Sequence, residues 1–176
     1  YKYGVPPESN ANYAFILAAI QAADSAALIL PQIVVSTKQN AEMEIRENLI
    51  CENLVDSIVL NPDNMFECTS IATCIFTLKK GRQTATVEMV DMRQKYTEEI
   101  RLQNGQFGGA SHTNRTYQKT VKAYSEENIN LLIGTIANRR SKPEFCAAVT
   151  KEQLKNRSFS LNPGNYIEIE IKESEH

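Results

Sequence analysis

Histidine is almost missing from this chain: only His112 and His176 occur in 176 residues. A Ser-His-Asp or Cys-His nucleophile needs a base at hand. One histidine near the end and one in the glycine-rich "NGQFGGASH" read as surface residues rather than bases. The four cysteines, Cys51, Cys68, Cys74 and Cys146, show no Cys-X-X-Cys spacing and no paired histidines, which argues against zinc; no metal is expected. They read as free, mostly buried thiols in a reducing cytoplasm. No apolar run approaches the ~18 residues that span a bilayer. The longest, 13–20 and 26–35, are separated by Gln21 and Asp24. The opening "YKYGVPPESN" is polar, aromatic and proline-rich, unlike a signal peptide, and the absent initial Met points to a fragment or processed piece. Gly-X-Gly-X-X-Gly and the Walker lysine are also missing, so "NGQFGGASH" is a phosphate loop only loosely; a mobile loop is the stronger reading. Carboxylates are plentiful but lie mostly on helix surfaces, and no acid/base pair stands out.

What remains is an ordinary globular composition, 42% hydrophobic and 23% charged, long enough for one domain or a domain plus an appendage. Charge is uneven: residues 1–80 net −4, residues 81–160 net +5, and the last sixteen −3. A positive middle is either a polyanion-facing segment or a solvated surface. "PESNANYAFILAAIQAADS" predicts a helix capped at Ser9 or Asn10, with Tyr13, Ile16, Leu17 and Ile20 inward. "AALILPQIVV" reads as a buried parallel strand stopped by Pro31. "KQNAEMEIRENLICEN" predicts a second helix, Met43, Leu49 and Ile50 inward, and "LVDSIVL" a strand. "IATCIFTLKK" and "ATVEMVDM" predict an antiparallel hairpin around "KKGRQ". "SEENINLLIGTIANR" predicts a helix capped near Ser125 and Asn128, with Ile129, Leu132, Ile133 and Ile136 as its core face. "FCAAVTKEQLKNRSFSLNPGNYIEIEI" predicts a short helix, then a strand. The pattern is α/β, divided as 1–92, a linker 93–112, and a mainly helical extension 113–176. One or two parallel strands do not complete a doubly wound sheet.

Asn61-Pro62-Asp63-Asn64 follows the strand "LVDSIVL" and has turn residues at every position. Phe66 comes next, where an aromatic either projects at a sheet end or packs into the core.

The ordered set "YGVPPESNANYAFILAAI", "AALILP", "EIRENLICENLVDSIVLNPDNMFECTSIATCIFTLKK" and "VEMVDMR" resembles the C-terminal half of adenine-N6 DNA methyltransferases, specifically the modification subunit of type I restriction-modification systems. The glycine-rich loop, "VKAYSEENI" and "FCAAVTKEQLKNRSFSLNPGNYIEI" are similar to that subunit's final segment. The resemblance implies the later part of a Rossmann-like sheet with a terminal antiparallel hairpin, and S-adenosylmethionine as cofactor. The family's glycine-rich and Asn-Pro-Pro-aromatic motifs would lie upstream, so no catalytic residue is expected here, and Asn61-Pro62-Asp63-Asn64 is a turn. The resemblance places Phe66 against a flipped adenine, with Thr69 shaping its pocket. It places Asn12, Tyr13 and Phe15 on the adenosine side and Pro31 at the end of the strand next to the catalytic one. Arg115, Lys119, Arg139 and Arg140 would meet phosphates or partner subunits.

The implied function is part of a DNA methyltransferase transferring methyl to adenine N6, inactive as an isolated segment. Its partners would be DNA, specificity and restriction subunits, and the upstream half, with no membrane. Two other readings stay open. A docking module would present an apolar first-strand edge that is paired or covered. An unrelated nucleotide-binding domain would need a pocket around Gly105 to Ser111.

Overall fold

The computed structural model describes residues 2–66, 69–104 and 116–170. Its elements are α1 (Asn12–Ala22), β1 (Ser25–Pro31), a short 3-10 turn (Gln32–Val35), α2 (Asn40–Cys51), β2 (Val55–Leu60), β3 (Thr73–Lys79), β4 (Thr86–Asp91), β5 (Thr97–Asn104), β6 (Thr116–Ala123), α3 (Glu126–Asn138), β7 (Cys146–Thr150) and α4 (Lys151–Asn156). A second 3-10 turn spans Pro163–Asn165.

Five strands form one mixed sheet in the order β1-β3-β2-β4-β7. β3 runs antiparallel to both β1 and β2, β4 parallel to β2, and β7 antiparallel to β4. Parallel and antiparallel strands with helices on the faces make this the expected α/β class. Within that class the strand neighbours differ from the sequence reading. β3 and β4 are not a hairpin, because β2 lies between them. The connection 80–85 passes the amino end of β2, and Arg82 fixes the crossing. Its guanidinium donates to Asn53 Oδ1 and Asp56 Oδ1, both at 2.9 Å, and to the carbonyls of Val55 and Thr86. A tight turn and two apolar runs signal a hairpin, but they carry no information about a third strand inserted between them. β1 is likewise an edge strand paired antiparallel to β3, not a buried parallel one: Leu30 is buried while Ala27 and Ile29 are exposed.

One face of the sheet packs on α1 and α2. Tyr13, Ile16, Leu17 and Ile20 of α1 are all buried there, as the helical spacing predicts. The cap differs: Ala11 occupies the N-cap position, and Asn10 Oδ1 accepts from the Asn12 amide at 3.2 Å. α2 buries Ile45, Leu49 and Ile50, and also Glu42 and Arg46, with Met43 only half-buried. The opposite face holds a smaller core of Val59, Val90, Met92, Leu132, Phe145 and Cys146. Ser125 and Asn128 form the expected capping box of α3. Of its predicted core face only Leu132 is buried and Ile136 partly so, while Ile129 and Ile133 are exposed. The C-terminal segment reverses the predicted order: "CAAVT" is a strand, "KEQLKN" the helix, and residues 157–170 hold no strand. β7 is covered on both faces, which erases the alternation that marks a strand. β5 and β6 form a separate antiparallel ribbon, registered from Thr97↔Ala123 to Asn104↔Thr116. Residues 105–115, which include the glycine-rich stretch and His112, and His176 lie outside the described residues.

Candidate functional site

β1, β2 and β4 share one direction, so their carboxyl ends at Pro31, Leu60 and Asp91 meet along one edge of the sheet. Open α/β sheets bind ligands outside that edge. The turn after β2 is held firmly there. Asn61 is 2% exposed, its Nδ2 donates to Thr73 Oγ1 at 3.1 Å, and its Oδ1 accepts from the Tyr124 hydroxyl at 2.7 Å. The amide is thus consumed inside the fold and offers nothing to a ligand. Asn64 takes a left-handed conformation at φ 54°. Its carbonyl accepts from the Lys122 amide at 3.0 Å, while Lys122 Nζ pairs with Asp63 and lies 4.6 Å from the Tyr96 ring. The hydrogen-bonded pairing holds the Asp63 carboxyl below the usual carboxylate range and raises Lys122. So the β5–β6 ribbon clamps the turn. Phe66 follows it, 37% exposed and bridged to Thr69, whose Oγ1 accepts from the Ile71 amide at 3.1 Å. This places an aromatic face, on a braced loop, at the carboxyl edge.

The other expected residues sit beside β1. Asn12 and Pro31 are half-buried, and Phe15 is 62% exposed. Tyr13 is fully buried, and its hydroxyl donates to the Val34 carbonyl at 2.8 Å, so ring and hydroxyl are both spent within the chain. Burial pushes that phenol far above its ordinary value. Ile29, Ile33 and Ile71 are also more than half exposed. Among the described residues no strand pairs with the outer edge of β1.

The basic residues separate. Arg139 ends α3 in a left-handed conformation, and its guanidinium pairs with Asp56 and donates to Thr86 O at 3.0 Å. It ties α3 to β2 and β4, its donors committed to internal acceptors. Arg140 is exposed, and Lys119 stands opposite Arg101 on the ribbon. Arg115 lies outside the described residues. Beneath Arg139, Glu88 is fully buried with neither carboxylate oxygen partnered among the described residues. Burial pushes it up to about 7, Arg139 pulls it back and Asp56 adds to the rise. Three free thiols are described, Cys51 exposed and Cys74 and Cys146 buried. Among the described residues no group of three or more His, Cys, Asp or Glu could hold a metal ion. No described helix is long and apolar enough to cross a membrane.

The ribbon, Lys122 and Tyr124 escaped the sequence reading. "TEEIRLQN" and "TYQKTVKA" flank a glycine-rich loop, a hairpin signal masked by strongly polar strands.

Comparison with known families settles the lineage. The family model described as N-6 DNA Methylase matches residues 1–175. The chain belongs to the N-6 DNA methylase family. The chain is 25% identical over 174 residues to the methylase subunit of the type I restriction enzyme MpnII of Mycoplasma pneumoniae, covering 96% of this chain and 28% of that protein. It is 27% identical over 178 residues to the HindI methylase subunit of Haemophilus influenzae, covering 95% of this chain and 36% of that one. The chain therefore spans about a third of the length of these relatives. Its fold matches the type I restriction-modification methyltransferase subunit from Streptococcus thermophilus with a TM-score of 0.77 at 23% identity, over 95% of this chain and 32% of that structure.

Proposed function

We propose that this chain supplies the base-binding side of a site-specific DNA adenine-N6 methyltransferase of the type I modification-subunit kind. The observation that carries the reading is Phe66: a half-exposed aromatic on a braced turn at the carboxyl edge of a methylase-family sheet. A flipped adenine needs a π-face to replace its lost stacking, worth ~1–3 kcal/mol per base. Thr69 is bridged to Phe66 and shapes the same pocket.

The cofactor of this reading is S-adenosylmethionine. Asn12, Phe15 and Pro31 fit one wall of its site, because the exposed Phe15 ring and half-buried Asn12 offer an apolar face and an amide at the edge. Tyr13 acts from behind, fixing the turn at Val34 through its hydroxyl. When bound, the cofactor supplies the methyl group that adenine N6 accepts as it loses a proton. The chain's own residues hold the base flat and keep water off its face. The exposed Ile29, Ile33 and Ile71 and the open edge of β1 take the portion that carries the glycine-rich and Asn-Pro-Pro-aromatic motifs, which the 176 residues lack. DNA, a specificity subunit and a restriction subunit are the remaining partners. Arg115, Lys119 and Arg140 are assigned to phosphate or subunit contact in this reading. The same apolar edge favours a second reading, a docking module without catalysis.

Methyl transfer from tritiated S-adenosylmethionine to adenine-containing duplex DNA separates these. The 176-residue chain alone should incorporate no label. Joined to a portion carrying the glycine-rich and Asn-Pro-Pro-aromatic motifs and supplied with a specificity subunit, it should. Label transfer by the isolated chain would overturn the division of labour. No transfer by the extended assembly would leave docking as the function.

A further inference from the structure

The "SFSLNPGNY" stretch and the start of α2 are not used by the site above, yet they enclose a basic cleft of about 420 Å³. It lies between Ser36–Lys38, the face of α2 bearing Met43 and Arg46, and the segment from Arg157 to Asn165. Two main-chain features shape it. The Leu161 amide donates to the Val35 carbonyl at 3.0 Å, drawing the C-terminal segment against the turn after β1. Ser158 and Phe159 both adopt positive φ, 52° and 53°, so the chain reverses sharply beside Arg157.

The lining is unlike ordinary surface. Arg46 is 3% exposed, donates from Nη1 to Thr37 O at 3.2 Å and lies against the Tyr13 hydroxyl, and its buried Nε–H has no partner among the described residues. A buried guanidinium donor without an acceptor is costly and rare. Lys38 and Arg157 are exposed at the rim, and no ion pair joins either to a carboxylate among the described residues. Hydroxyls of Ser36, Ser158 and Ser160 and the amides of Asn162 and Asn165 complete the wall. One carboxylate is near: Glu42, 4% exposed, whose Oε2 accepts from Thr37 Oγ1 at 2.5 Å. It balances one of three cations. Tyr166 adds no charge, since burial pushes its phenol up to about 12 and its hydroxyl donates to Ser160 O at 2.6 Å.

We propose that this cleft is a phosphate-binding site, with the Arg46 guanidinium at its floor, Lys38 and Arg157 at its mouth and the serine hydroxyls and asparagine amides as neutral donors. A tetrahedral oxyanion uses such donors fully: the guanidinium contributes directional N–H groups and the rim cations contribute charge. The site is separate from the Phe66 turn and does not depend on the methyl-transfer reading. Its phosphate comes either from a nucleic-acid backbone or from the free ion.

The test uses the 176-residue chain labelled with 15N and titrated with inorganic phosphate at constant ionic strength, with chloride as control. The Arg46 Nε–H resonance and the amides of Ser36–Lys38 and Ser158–Asn162 should shift saturably with phosphate and not with chloride. A Lys38→Ala/Arg157→Ala double variant, altered only at exposed positions, should keep its unfolding temperature and bind phosphate about tenfold more weakly or worse. A short duplex added in competition distinguishes the sources. Displacement of phosphate, with a salt slope reduced by roughly two in the double variant, assigns the site to DNA backbone. Phosphate binding that duplex leaves untouched assigns it to the free ion. No saturable response of Arg46 to phosphate, together with duplex affinity unchanged in the double variant, would overturn the proposal.

Discussion

Replacing Glu88 by glutamine should make the fold more stable at pH 8 than at pH 5 relative to the parent. Glu88 lies on β4 between Ser57 of β2 and Ala148 of β7, fully buried, with both oxygens unpartnered among the described residues. Its carboxyl is pushed from the ordinary 4.5 up to about 7, chiefly by burial. The sign follows from proton linkage. Below pH 4.5 the group is protonated whether the chain is folded or not, and contributes no difference. Between 4.5 and about 7 the unfolded chain ionises while the folded chain holds its proton, so stability falls as pH rises, and above that it levels off. At 1.36 kcal/mol per pH unit, the whole loss is about 3 kcal/mol. For a chain of this size that is a shift of roughly 6–12 °C in unfolding temperature. A buried glutamine carries its own pH-independent cost from an unpartnered amide, so the informative quantity is the change in the difference between variant and parent. Thermal unfolding by circular dichroism at pH 5, 6, 7 and 8 measures it, and titrations elsewhere, the histidines included, cancel. A difference that stays flat with pH would refute the argument and mean that Glu88 is ionised or hydrated in the fold.

Asp56→Ala should cost about 3–5 kcal/mol in urea unfolding, because it strands the Arg82 side chain, 1% exposed, and releases Arg139; a loss below about 1 kcal/mol would mean the pairs are worth no more than surface bridges. Tyr124→Phe should cost about 1–3 kcal/mol by leaving the buried Asn61 Oδ1 without its donor, while unchanged stability would show that water replaces the hydroxyl. Among the described thiols, Cys51 should react readily with a disulfide reagent in the native protein, whereas Cys74, pushed up to about 12 by burial, should react only in denaturant; peptide mapping of the labelled sites reads this, and native labelling of Cys74 would contradict its burial.

The parts of this fold legible in the sequence are those where one physical rule acts alone. α1 is a single apolar face at helical spacing, and its four predicted core residues are the four buried ones. The α3 capping box is a local exchange of hydrogen bonds that needs no partner from elsewhere. What stayed hidden depends on distant chain. β2 between β3 and β4 is decided by Arg82 meeting residues about thirty positions earlier. The exposure of Ile129 and Ile133 cannot be read from a periodicity that only says which residues share a face. For the site, the turn character of Asn61-Pro62-Asp63-Asn64 and an aromatic after it were legible. The brace by Lys122 and Tyr124, from about sixty residues later, was not. Arg139 shows the limit for charges: the sequence offers a cation, and only the packed structure shows it committed to Asp56.

The central claim is that Phe66 meets the target base, and methylation kinetics test it most directly. In the assembly the proposed function calls for, the chain joined to a portion carrying the glycine-rich and Asn-Pro-Pro-aromatic motifs and supplied with a specificity subunit, N6-methyladenine formation is compared for the parent, Phe66→Ala and Phe66→Tyr. Phe66 sits outside both hydrophobic cores, so unfolding temperatures should agree. Loss of one stacking contact, ~1–3 kcal/mol, predicts a fall in kcat/KM of about 5- to 150-fold for alanine and little change for tyrosine. Equal kcat/KM in parent and alanine variant would contradict the account and move the base-binding face elsewhere on the carboxyl edge.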